Sequence, residues 1–307
     1  MTHSLSISVI IPTYNEPDLL ETALQSLALQ DYPSTAVEIV VVDDASDTCD
    51  PERWNEACGR FALQLIRHDT NQGRARARNS GIRASKGELV IFLDSDMTVE
   101  RDFLAVHAAA HQGKKTVVIG NIQFGHQIPV SSLTRYIDNR GVHRLEANEA
   151  VPFNCFVTGN SSVLREQLLR LGLFDENFTA YGGEDLELGY RFFLDGSTFL
   201  YAPKALSRHN HIRPFAQICQ LMYTYGRHSL PLLLHKHPDL ASLLRLGFLQ
   251  EPRFSPKRLF MRLALLPLVY YPIYWAVQAS LKVFAPELFI DYLWWYNRTR
   301  GYLAAAA

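Results

Sequence analysis

Cysteine is scarce in this chain of 307 residues, which contains only four. They stand at irregular spacings, without a Cys-x-x-Cys pair, at Cys49, Cys58, Cys155 and Cys219. Such spacing argues against a disulfide framework and against a zinc knuckle. A basic leader is also missing, and the apolar run Ile7–Ile11 is too short for a signal peptide. We therefore expect a reduced, cytosolic compartment, and a first core strand at this run.

Acidic residues are absent between Gly196 and Pro238, although the whole chain has a formal net charge of -1. From Gly196 to Pro286 there are eleven Lys or Arg against two acids, a sum of +9. Residues 287–307 sum to zero, which leaves -10 for residues 1–195. A basic surface attracts phosphates or anionic lipid, whereas an acidic mouth needs a cation before it can hold a phosphate. The pattern therefore predicts a divalent metal.

The composition, with 48% hydrophobic and 20% charged residues, is that of a globular protein with one large domain and a smaller appendage. In the first half, apolar strand patterns alternate with helical patterns, which is typical of a doubly wound α/β sheet. We predict strands at Ile7–Ile11, Val37–Val42, Leu63–Ile66, Leu89–Leu93, Thr116–Gly120, Phe153–Thr158 and Thr198–Tyr201. We predict helices at Asp18–Gln30, Arg74–Ala84, Arg101–His111, Ser131–Glu146, Arg165–Leu171 and Asp185–Leu194.

The last third is helical in pattern and contains one long apolar run. Leu263–Leu281 is nineteen residues without a charge, between Arg262 and Lys282. The run reaches the length of a membrane span, but its prolines lower its hydrophobicity and its Tyr and Trp residues prefer the membrane interface. A surface anchor is the preferred interpretation, and a true span and a buried core helix remain open alternatives.

Polar side chains follow three of the predicted strands, at Pro12–Glu16, Asp43–Ser46 and Asp94–Asp96. The carboxyl ends of such strands meet at one edge of the sheet, where α/β proteins bind ligands. Asp44 could accept an N–H of uracil or guanine, and Tyr14 could offer a flat face to the base. The alternative is that Asp43 and Asp44 only cap a turn.

Asp94-Ser-Asp96 suits a hard cation such as Mg²⁺ or Mn²⁺, which prefers oxygen ligands, although a lone Asp-x-Asp also arises by chance. His209 is the candidate imidazole ligand, which would favour Mn²⁺. Most of the eleven histidines, His211 among them, are expected to be bystanders.

Two further segments combine glycine with charge. Gly73 precedes a helical pattern in which Arg74 and Arg78 are four residues apart and so lie on one face of the helix. This face could bind a diphosphate, or it could be exposed to solvent. Gly182-Gly-Glu-Asp185 allows a tight loop at the start of a helix. Its two acids fit either helix capping or general-base catalysis, and the local sequence does not separate these.

Taken together and in order, these motifs resemble those of family 2 glycosyltransferases. They are Ser8–Glu16, Val41–Ser46, Asn71–Asn79, Phe92–Asp96, Thr158–Asn160 and Gly182–Asp185. The similarity covers about Ser6 to His211. It implies a GT-A fold, an α/β, Rossmann-like, doubly wound mixed sheet in residues 1–212. Residues 213–307 would then form a C-terminal helical, membrane-associating extension.

The resemblance also implies a role for each matching residue. The nucleotide-sugar site would comprise Pro12, Tyr14, Glu16, Asp44, Arg78, Asp94, Ser95 and Asp96. Asp96 and His209 would bind Mn²⁺ or Mg²⁺, although His211 is an alternative ligand. Asp185 would be the catalytic base, with Glu184 orienting donor or acceptor hydroxyls. The acceptor side would comprise Gly159, Asn160 and Gly183.

The activity implied is transfer of a hexose or N-acetylhexosamine from a nucleotide donor, usually UDP-linked, with inversion. The chain lacks the Gln-x-x-Arg-Trp sequence of processive members, so addition of a single sugar is expected. We expect a saccharide or lipid-linked acceptor in cell envelope polysaccharide synthesis, at the inner face of the membrane. Nucleic acid is not expected as a partner, and a homo-oligomer remains open.

Two other functions are alternatives to glycosyl transfer. A sugar-phosphate nucleotidyltransferase would use a similar metal site, but the chain lacks the glycine-rich, lysine-containing loop of those enzymes. A non-catalytic scaffold that binds nucleotide sugar at the membrane would not need the acids at Asp96 and Asp185. Neither the sugar transferred nor the linkage follows from the sequence.

Overall fold

The structure, a computed structural model, describes residues 5–111, 115–145, 150–249, 251–252 and 254–305. The chain divides into two compact units. The larger comprises Met1–Ile128, Asp138–Thr179 and Glu184–Ile212, and the smaller comprises Pro129–Ile137, Ala180–Gly183 and Arg213–Ala307. The short segment 180–183, which leads into Glu184, therefore belongs with the C-terminal helices.

Eight strands in the described residues form one sheet in the larger unit. They are β1 Ile7–Thr13, β2 Val37–Asp43, β3 Ala62–Arg67, β4 Leu89–Leu93, β5 Met97–Val99, β6 Thr116–Phe124, β7 Asn160–Leu164 and β8 Thr198–His209. Their order is β3-β2-β1-β4-β7-β6-β8-β5. Pairs β1–β2, β1–β4, β2–β3 and β6–β8 are parallel, and pairs β4–β7, β6–β7 and β5–β8 are antiparallel. The predicted mixed α/β sheet is confirmed.

The central strands are apolar on both faces because helices cover both faces of the sheet. In β1, Val9 and Ile11 pack into a core with Trp54, whereas Ile10 between them packs into a second core with Ile82. Strands β1 and β2 remain paired to Thr13 and Asp43, so their carboxyl ends lie at one edge. The apolar sequences of these strands therefore deliver the residues that follow them to a common edge.

The described helices alternate with these strands and then continue alone. They are α1 Pro17–Ala28, α2 Pro51–Ala57, α3 Arg74–Ala84, α4 Phe103–Ala110, α5 Ser132–Asp138, α6 Arg165–Arg170, α7 Glu184–Leu194, α8 Phe215–Thr224, α9 Leu230–Lys236, α10 Leu240–Leu243, α11 Pro256–Ala264, α12 Pro267–Ser280 and α13 Glu287–Ala305. Helix α1 begins with Pro17, which suits the first turn because proline lacks the N–H that would be unpaired there. A π-helical turn at Tyr225–Ser229 joins α8 to α9.

Three predicted elements differ from the structure. The strand predicted at Phe153–Thr158 is wrong, because Phe153–Cys155 is a 3-10 turn and the strand comes later, at β7. The helix predicted at Ser131–Glu146 ends at Asp138 and is followed by a 3-10 turn at Gly141–Arg144, and its predicted last residue lies outside the described ranges. Strand β8 extends past the predicted Tyr201 to His209 through a bulge opposite Gly120 and Asn121.

In the smaller unit, α13 packs on α8 and the π-helical turn through glycine. A Cβ on Gly226 would overlap the Arg298 carbonyl, and a Cβ on Gly301 would overlap the Tyr223 carbonyl. Tyr270 of α12 stacks on Tyr296 of α13 with ring centroids 4.1 Å apart. Among the described helices, none alone has the length and apolar composition of a membrane span, whereas α11 and α12 together have both but are bent by 53°.

Two histidines, one within α4 and one directly after it, contact β7. His107 Nδ1 lies 2.8 Å from Ser162 Oγ and His107 Nε2 lies 2.9 Å from Asn160 Oδ1, while His111 Nε2 lies 2.8 Å from the same Ser162 oxygen. Burial lowers the pKa of His107 to about 3 and that of His111 to about 4. Both imidazoles are therefore neutral in the folded protein at neutral pH.

These pKa values predict that stability falls in mild acid. Below pH about 6.5 the unfolded chain binds protons that the folded protein cannot, so each histidine should lower the free energy of unfolding by about 2 kcal/mol at pH 5. Urea unfolding at pH 7 and pH 5 measures this loss. His107→Gln should reduce the pH dependence, whereas His126→Gln, at an exposed position, should leave it unchanged. Equal slopes in all three proteins would contradict the assignment.

Candidate active site

The three predicted polar segments meet at the sheet edge. The Asp44 N–H donates to the Thr13 carbonyl at 2.9 Å, which joins the end of β2 to the end of β1. The Ser95 hydroxyl donates to Glu16 Oε2 at 2.9 Å, which joins the residues after β4 to the residues after β1. Tyr14 projects its ring half-exposed beside them. Residues from separate motifs thus form one continuous polar edge.

The Asp44 carboxylate holds the loop that leads into α3. Its Oδ1 accepts from the Gln72 N–H at 2.9 Å and lies 2.7 Å from His68 Nδ1. Its Oδ2 accepts from the Gly73 N–H at 2.8 Å. Gly73 has φ 87°, a conformation that favours glycine. Asp44 is therefore buried and firmly oriented, with both Oδ1 acceptor positions already used.

His68 is a contact that the sequence interpretation missed. Its other nitrogen, Nε2, lies 2.9 Å from the Ser80 hydroxyl of α3. His68 thereby ties Asp44 to the same helix that Gly73 begins. Only the position of His68 directly after β3, at the same sheet edge as Asp44, could have indicated it.

The buried Arg78 guanidinium is the centre of a cluster of three acids, of which Glu184 is buried and Asp94 and Asp185 are partly exposed. Arg78 Nη2 lies 3.0 Å from Asp94 Oδ1, and Nη1 lies 3.3 Å from Glu184 Oε1 and 4.0 Å from Asp185 Oδ1. The side chain of Arg78 is buried. Helix α3 thus brings together the acid after β4 and the two acids that begin α7. Its predicted place near the donor phosphates stays a prediction.

Glu184 and Asp185 are neighbours with different surroundings. Burial, and then the charge of Asp185, raise the pKa of Glu184 to about 7, although Arg74 and Arg78 oppose this. Glu184 Oε2 is buried and has no hydrogen-bond partner among the described residues. Asp185 remains partly exposed and accepts from the Thr158 hydroxyl at 3.0 Å and the Thr158 N–H at 3.3 Å. Of the two acids, Asp185 is therefore the one that hydrogen bonds orient and that solvent can reach, whereas Glu184 is buried.

Asp96 and His209 form the candidate metal centre. Antiparallel pairing of β5 with β8 places Met97 opposite His209, and His209 Nε2 lies 2.7 Å from Asp96 Oδ2. Asp96 Oδ1 is buried without a hydrogen-bond partner among the described residues. The Asp96 carboxylate, with its unpaired buried oxygen, and the His209 imidazole therefore suit two of the ligand positions of Mn²⁺ or Mg²⁺.

Within the described ranges, no three His, Cys, Asp or Glu side chains form a group that could hold a metal ion by themselves. Asp96 and His209 would therefore need ligands from a bound molecule or water. His211, the alternative considered from the sequence, has a buried Nδ1 without a hydrogen-bond partner in the described part of the chain. His209 is the histidine that contacts Asp96.

The residues predicted for the acceptor side lie in different settings. A Cβ on Gly159 would stand 3.3 Å from Asp94 Oδ2 and 2.8 Å from Met97 Cε, so this glycine allows close approach to Asp94. The Asn160 side chain is fully buried and donates to the Ala205 carbonyl at 2.8 Å. Gly183 has φ 99°. The structure therefore places Gly159, but not the Asn160 side chain, beside the acidic cluster.

The loop before Glu184 is held within the smaller unit. The Ser229 hydroxyl, at the end of the π-helical turn, donates to the Tyr181 carbonyl at 3.2 Å. A Cβ on Gly182 would stand 3.3 Å from the Tyr225 ring. The π-helical turn therefore fixes the two-glycine loop, a role that no sequence pattern indicated.

Similarity to known proteins identifies the family. Residues 8–170 match the family model described as glycosyl transferase family 2. The chain belongs to glycosyltransferase family 2. Residues 142–214 also match a model described as the N-terminal domain of galactosyltransferase. The second match covers β7, Glu184, Asp185 and His209.

Among curated relatives, the chain is 27% identical to the uncharacterized glycosyltransferase YfnE of Bacillus subtilis, over 67% of this chain and 64% of that protein. It is 30% identical to validoxylamine A glucosyltransferase of Streptomyces hygroscopicus subsp. limoneus, over 78% of this chain and 58% of that protein. The chain therefore spans less than two thirds of the length of these relatives.

Solved structures share the fold. Staphylococcus aureus TarS 1-349 in complex with UDP-GlcNAc has a TM-score of 0.59 at 20% identity, covering 98% of this chain and 91% of that chain. A mannosyltransferase from Pyrobaculum calidifontis in complex with GDP-Man and Mn²⁺ has a TM-score of 0.58 at 21% identity, covering 95% and 86%. At these identities the likeness shows the fold, and the predicted GT-A fold is confirmed.

The buried pair of Arg78 and Glu184 predicts a large effect of removing Arg78. Arg78→Met leaves Asp94, Glu184 and Asp185 without their shared cation, and breaking a buried pair in this way costs about 3 kcal/mol of stability. Urea unfolding at neutral pH measures the cost. Arg76→Met on the same helix is the control, because Arg76 is exposed and pairs with Glu176 at the surface, where the cost is below about 1 kcal/mol. Equal losses would show that Arg78 does not hold the cluster.

Proposed function

We propose that the protein is an inverting glycosyltransferase that moves one sugar from a nucleotide-sugar donor to an acceptor hydroxyl. The observation that carries this proposal is the presence of two distinct carboxylate sites at one sheet edge. One is the cluster of Asp94, Glu184 and Asp185 around Arg78. The other is the Asp96–His209 pair. Family membership and the structures of similar fold that hold UDP-GlcNAc or GDP-Man support the nucleotide-sugar donor.

The contacts of Asp44 favour a UDP-linked donor. A carboxylate offers about four acceptor positions, and Asp44 already uses three of them, two on Oδ1 and one on Oδ2. One position on Oδ2 is left for the base. Uracil presents a single ring N–H, which needs one acceptor position. Guanine presents a ring N–H and an adjacent amino group, which need an acceptor position on each carboxylate oxygen, so the single free position of Asp44 suits uracil better. The half-exposed ring of Tyr14 is available to stack on the base.

Asp96 and His209 are the residues that would hold the divalent cation. Their carboxylate and imidazole fit Mn²⁺ better than Mg²⁺, which prefers oxygen ligands alone. When bound, the cation supplies Lewis-acid stabilisation of the departing nucleoside diphosphate. The remaining ligands would come from the diphosphate and water. The neighbour from Pyrobaculum calidifontis, which holds Mn²⁺, supports this assignment.

Asp185 is the proposed general base. As the acceptor oxygen forms its bond to the anomeric carbon, the bond from that carbon to the diphosphate oxygen breaks, and the hydroxyl proton passes to the Asp185 carboxylate. Attack in line with the leaving group inverts the anomeric configuration. Thr158 orients the carboxylate through its hydroxyl and N–H. Glu184, which is buried beside it, would orient a hydroxyl of donor or acceptor.

The proposed acceptor is a saccharide, either free or linked to a lipid, in cell envelope polysaccharide synthesis. Gly159 lets a ligand approach Asp94 closely, which supports an acceptor side near this residue. Asn160 and Gly183 remain predicted members of that side. A hexose or N-acetylhexosamine is the expected transferred group.

A donor screen tests the proposed donor and metal. Purified protein is mixed with UDP-sugars or GDP-sugars, with and without Mn²⁺, and thermal stabilisation and release of nucleoside diphosphate are recorded. We expect Mn²⁺-dependent stabilisation by a UDP-sugar, because ligand binding stabilises the folded state by mass action. Asp44→Asn should weaken it, since an amide offers one acceptor oxygen instead of two. Stabilisation by GDP-sugars alone would contradict the uracil assignment, and binding without turnover would favour a scaffold.

Substitution of the base tests the mechanism. Asp185→Asn should retain UDP-sugar binding but lower the turnover rate by roughly 10²- to 10⁴-fold, the usual contribution of a general base. The control is Asp195→Asn, which changes a carboxylate just beyond the other end of α7 that pairs with Arg170. Initial rates at saturating donor provide the measurement. Undiminished turnover of Asp185→Asn would show that another group takes the proton.

A further inference from the structure

The smaller unit exposes a set of large apolar side chains on the consecutive helices α11 and α12. We call this set the outer surface of α11 and α12, and its members are Leu259, Phe260, Leu263, Leu268, Tyr271 and Trp275. Their exposed fractions include 82% for Leu268, 68% for Phe260 and 64% for Trp275. Phe254, Val283 and Phe284 flank the set and are also exposed. So many exposed large apolar side chains on two consecutive helices are typical of an interaction site.

In each of the two helices the side chains of the outer surface lie on one side. In α11, Leu259, Phe260 and Leu263 fall within an arc of about 100°. In α12, Leu268, Tyr271 and Trp275 follow at spacings of three and four residues, which places them on one face. Tyr270 and Val277, on another face of α12, are buried instead. One side of α12 therefore packs within the unit while the other faces outward.

The charge around the outer surface is mainly positive. Residues 252–286 contain five Lys or Arg and no acid, and Glu251, directly before them, pairs with Lys257. Lys257, Arg262 and Lys282 are exposed. On α11, Lys257 and Arg262 lie outside the apolar arc, where their long side chains could extend toward lipid headgroups while the apolar side enters the membrane. Apolar side chains bordered by cations are suited to anionic lipid.

We propose that the outer surface of α11 and α12 binds the surface of a bilayer that contains anionic lipids. Tyr271 and Trp275 belong to the residue types that accumulate at the interface between lipid and water. A second copy of this chain is a less suitable partner, because a twofold contact through this surface would bring two sets of cations together. The cytoplasmic leaflet carries such anionic lipids, so the inner face of the membrane is the expected location.

Membrane binding also bears on the acceptor, although that part rests on the proposed glycosyltransferase function. A protein held at the bilayer surface meets lipid-linked saccharides at high local concentration. Lipid binding is measured without a sugar donor, and donor hydrolysis is measured without lipid. A failure of the membrane-binding proposal can therefore be distinguished from a failure of the proposed glycosyltransferase function.

Vesicle co-sedimentation tests the proposal with the full chain. Vesicles of phosphatidylcholine are compared with vesicles that also contain phosphatidylglycerol, at low and high salt. We expect at least roughly tenfold stronger binding to the anionic vesicles, and weakening by salt. Arg262→Gln combined with Lys282→Gln should remove most of this preference. Binding that is equal for both vesicle types, or absent for both, would overturn the proposal.

A matched pair of variants tests which surface binds. A triple variant with Phe260→Ser, Leu268→Ser and Trp275→Ser should bind anionic vesicles at least about tenfold more weakly, since these residues supply the apolar area that enters the membrane. Leu29→Ser with Leu194→Ser is the control, because both leucines are 61% exposed in the larger unit. Circular dichroism and lipid-free donor hydrolysis confirm that each variant is folded. Equal binding by both variants would overturn the assignment of the surface.

Two other outcomes would also overturn the proposal. Retention in the vesicle pellet through alkaline carbonate and high salt would indicate that α11 and α12 span the bilayer as a bent pair. A concentration-dependent dimer that forms without lipid, and that the triple serine variant abolishes, would indicate a second copy as the partner. Reversible, salt-sensitive binding by a monomer supports the bilayer surface.

Discussion

The candidate site depends on the buried guanidinium of Arg78 more than on any other group. It lies within 4.0 Å of carboxylate oxygens of Asp94, Glu184 and Asp185. Three carboxylates held this close would repel one another, most strongly at the buried Glu184, because charges interact more strongly away from water. A cation with a planar fork of donors can contact several of them at once. Arg78 thus joins the ends of β4 and α7 to α3 and makes the cluster compatible with folding.

Two adjacent acids acquire different properties because they begin a helix. Successive residues of a helix point about 100° apart, so one acid of the pair can face inward while the next faces outward. Glu184 is buried and its pKa rises to about 7, whereas Asp185 is partly exposed and accepts hydrogen bonds from Thr158. The glycines before them, with φ 78° and 99°, allow the chain to turn sharply into this helix. Burial, rather than residue type, therefore separates the two proposed roles.

The accuracy of the predicted elements follows from how each strand is buried. Strands β1, β2 and β4 are apolar on both faces, so their runs of Ile, Val and Leu were found directly. Strand β7 was missed because its buried residues include Ser161 and Ser162, and the nearby apolar Phe153–Phe156 segment suggested a strand instead. Ser162 is accommodated by hydrogen bonding to His107 and His111. These partners lie about fifty residues earlier, so no local pattern could indicate them.

The sequence by itself determined the class of the protein, because strand periodicity and the order of short motifs are local properties of the chain. It also determined the acidic first part and the basic last part. Only the tertiary structure decided which side chains meet, because the pairs Arg78–Glu184 and Asp96–His209 join residues more than a hundred positions apart. It likewise decided which apolar residues of α11 and α12 face outward, since exposure depends on what the rest of the chain covers.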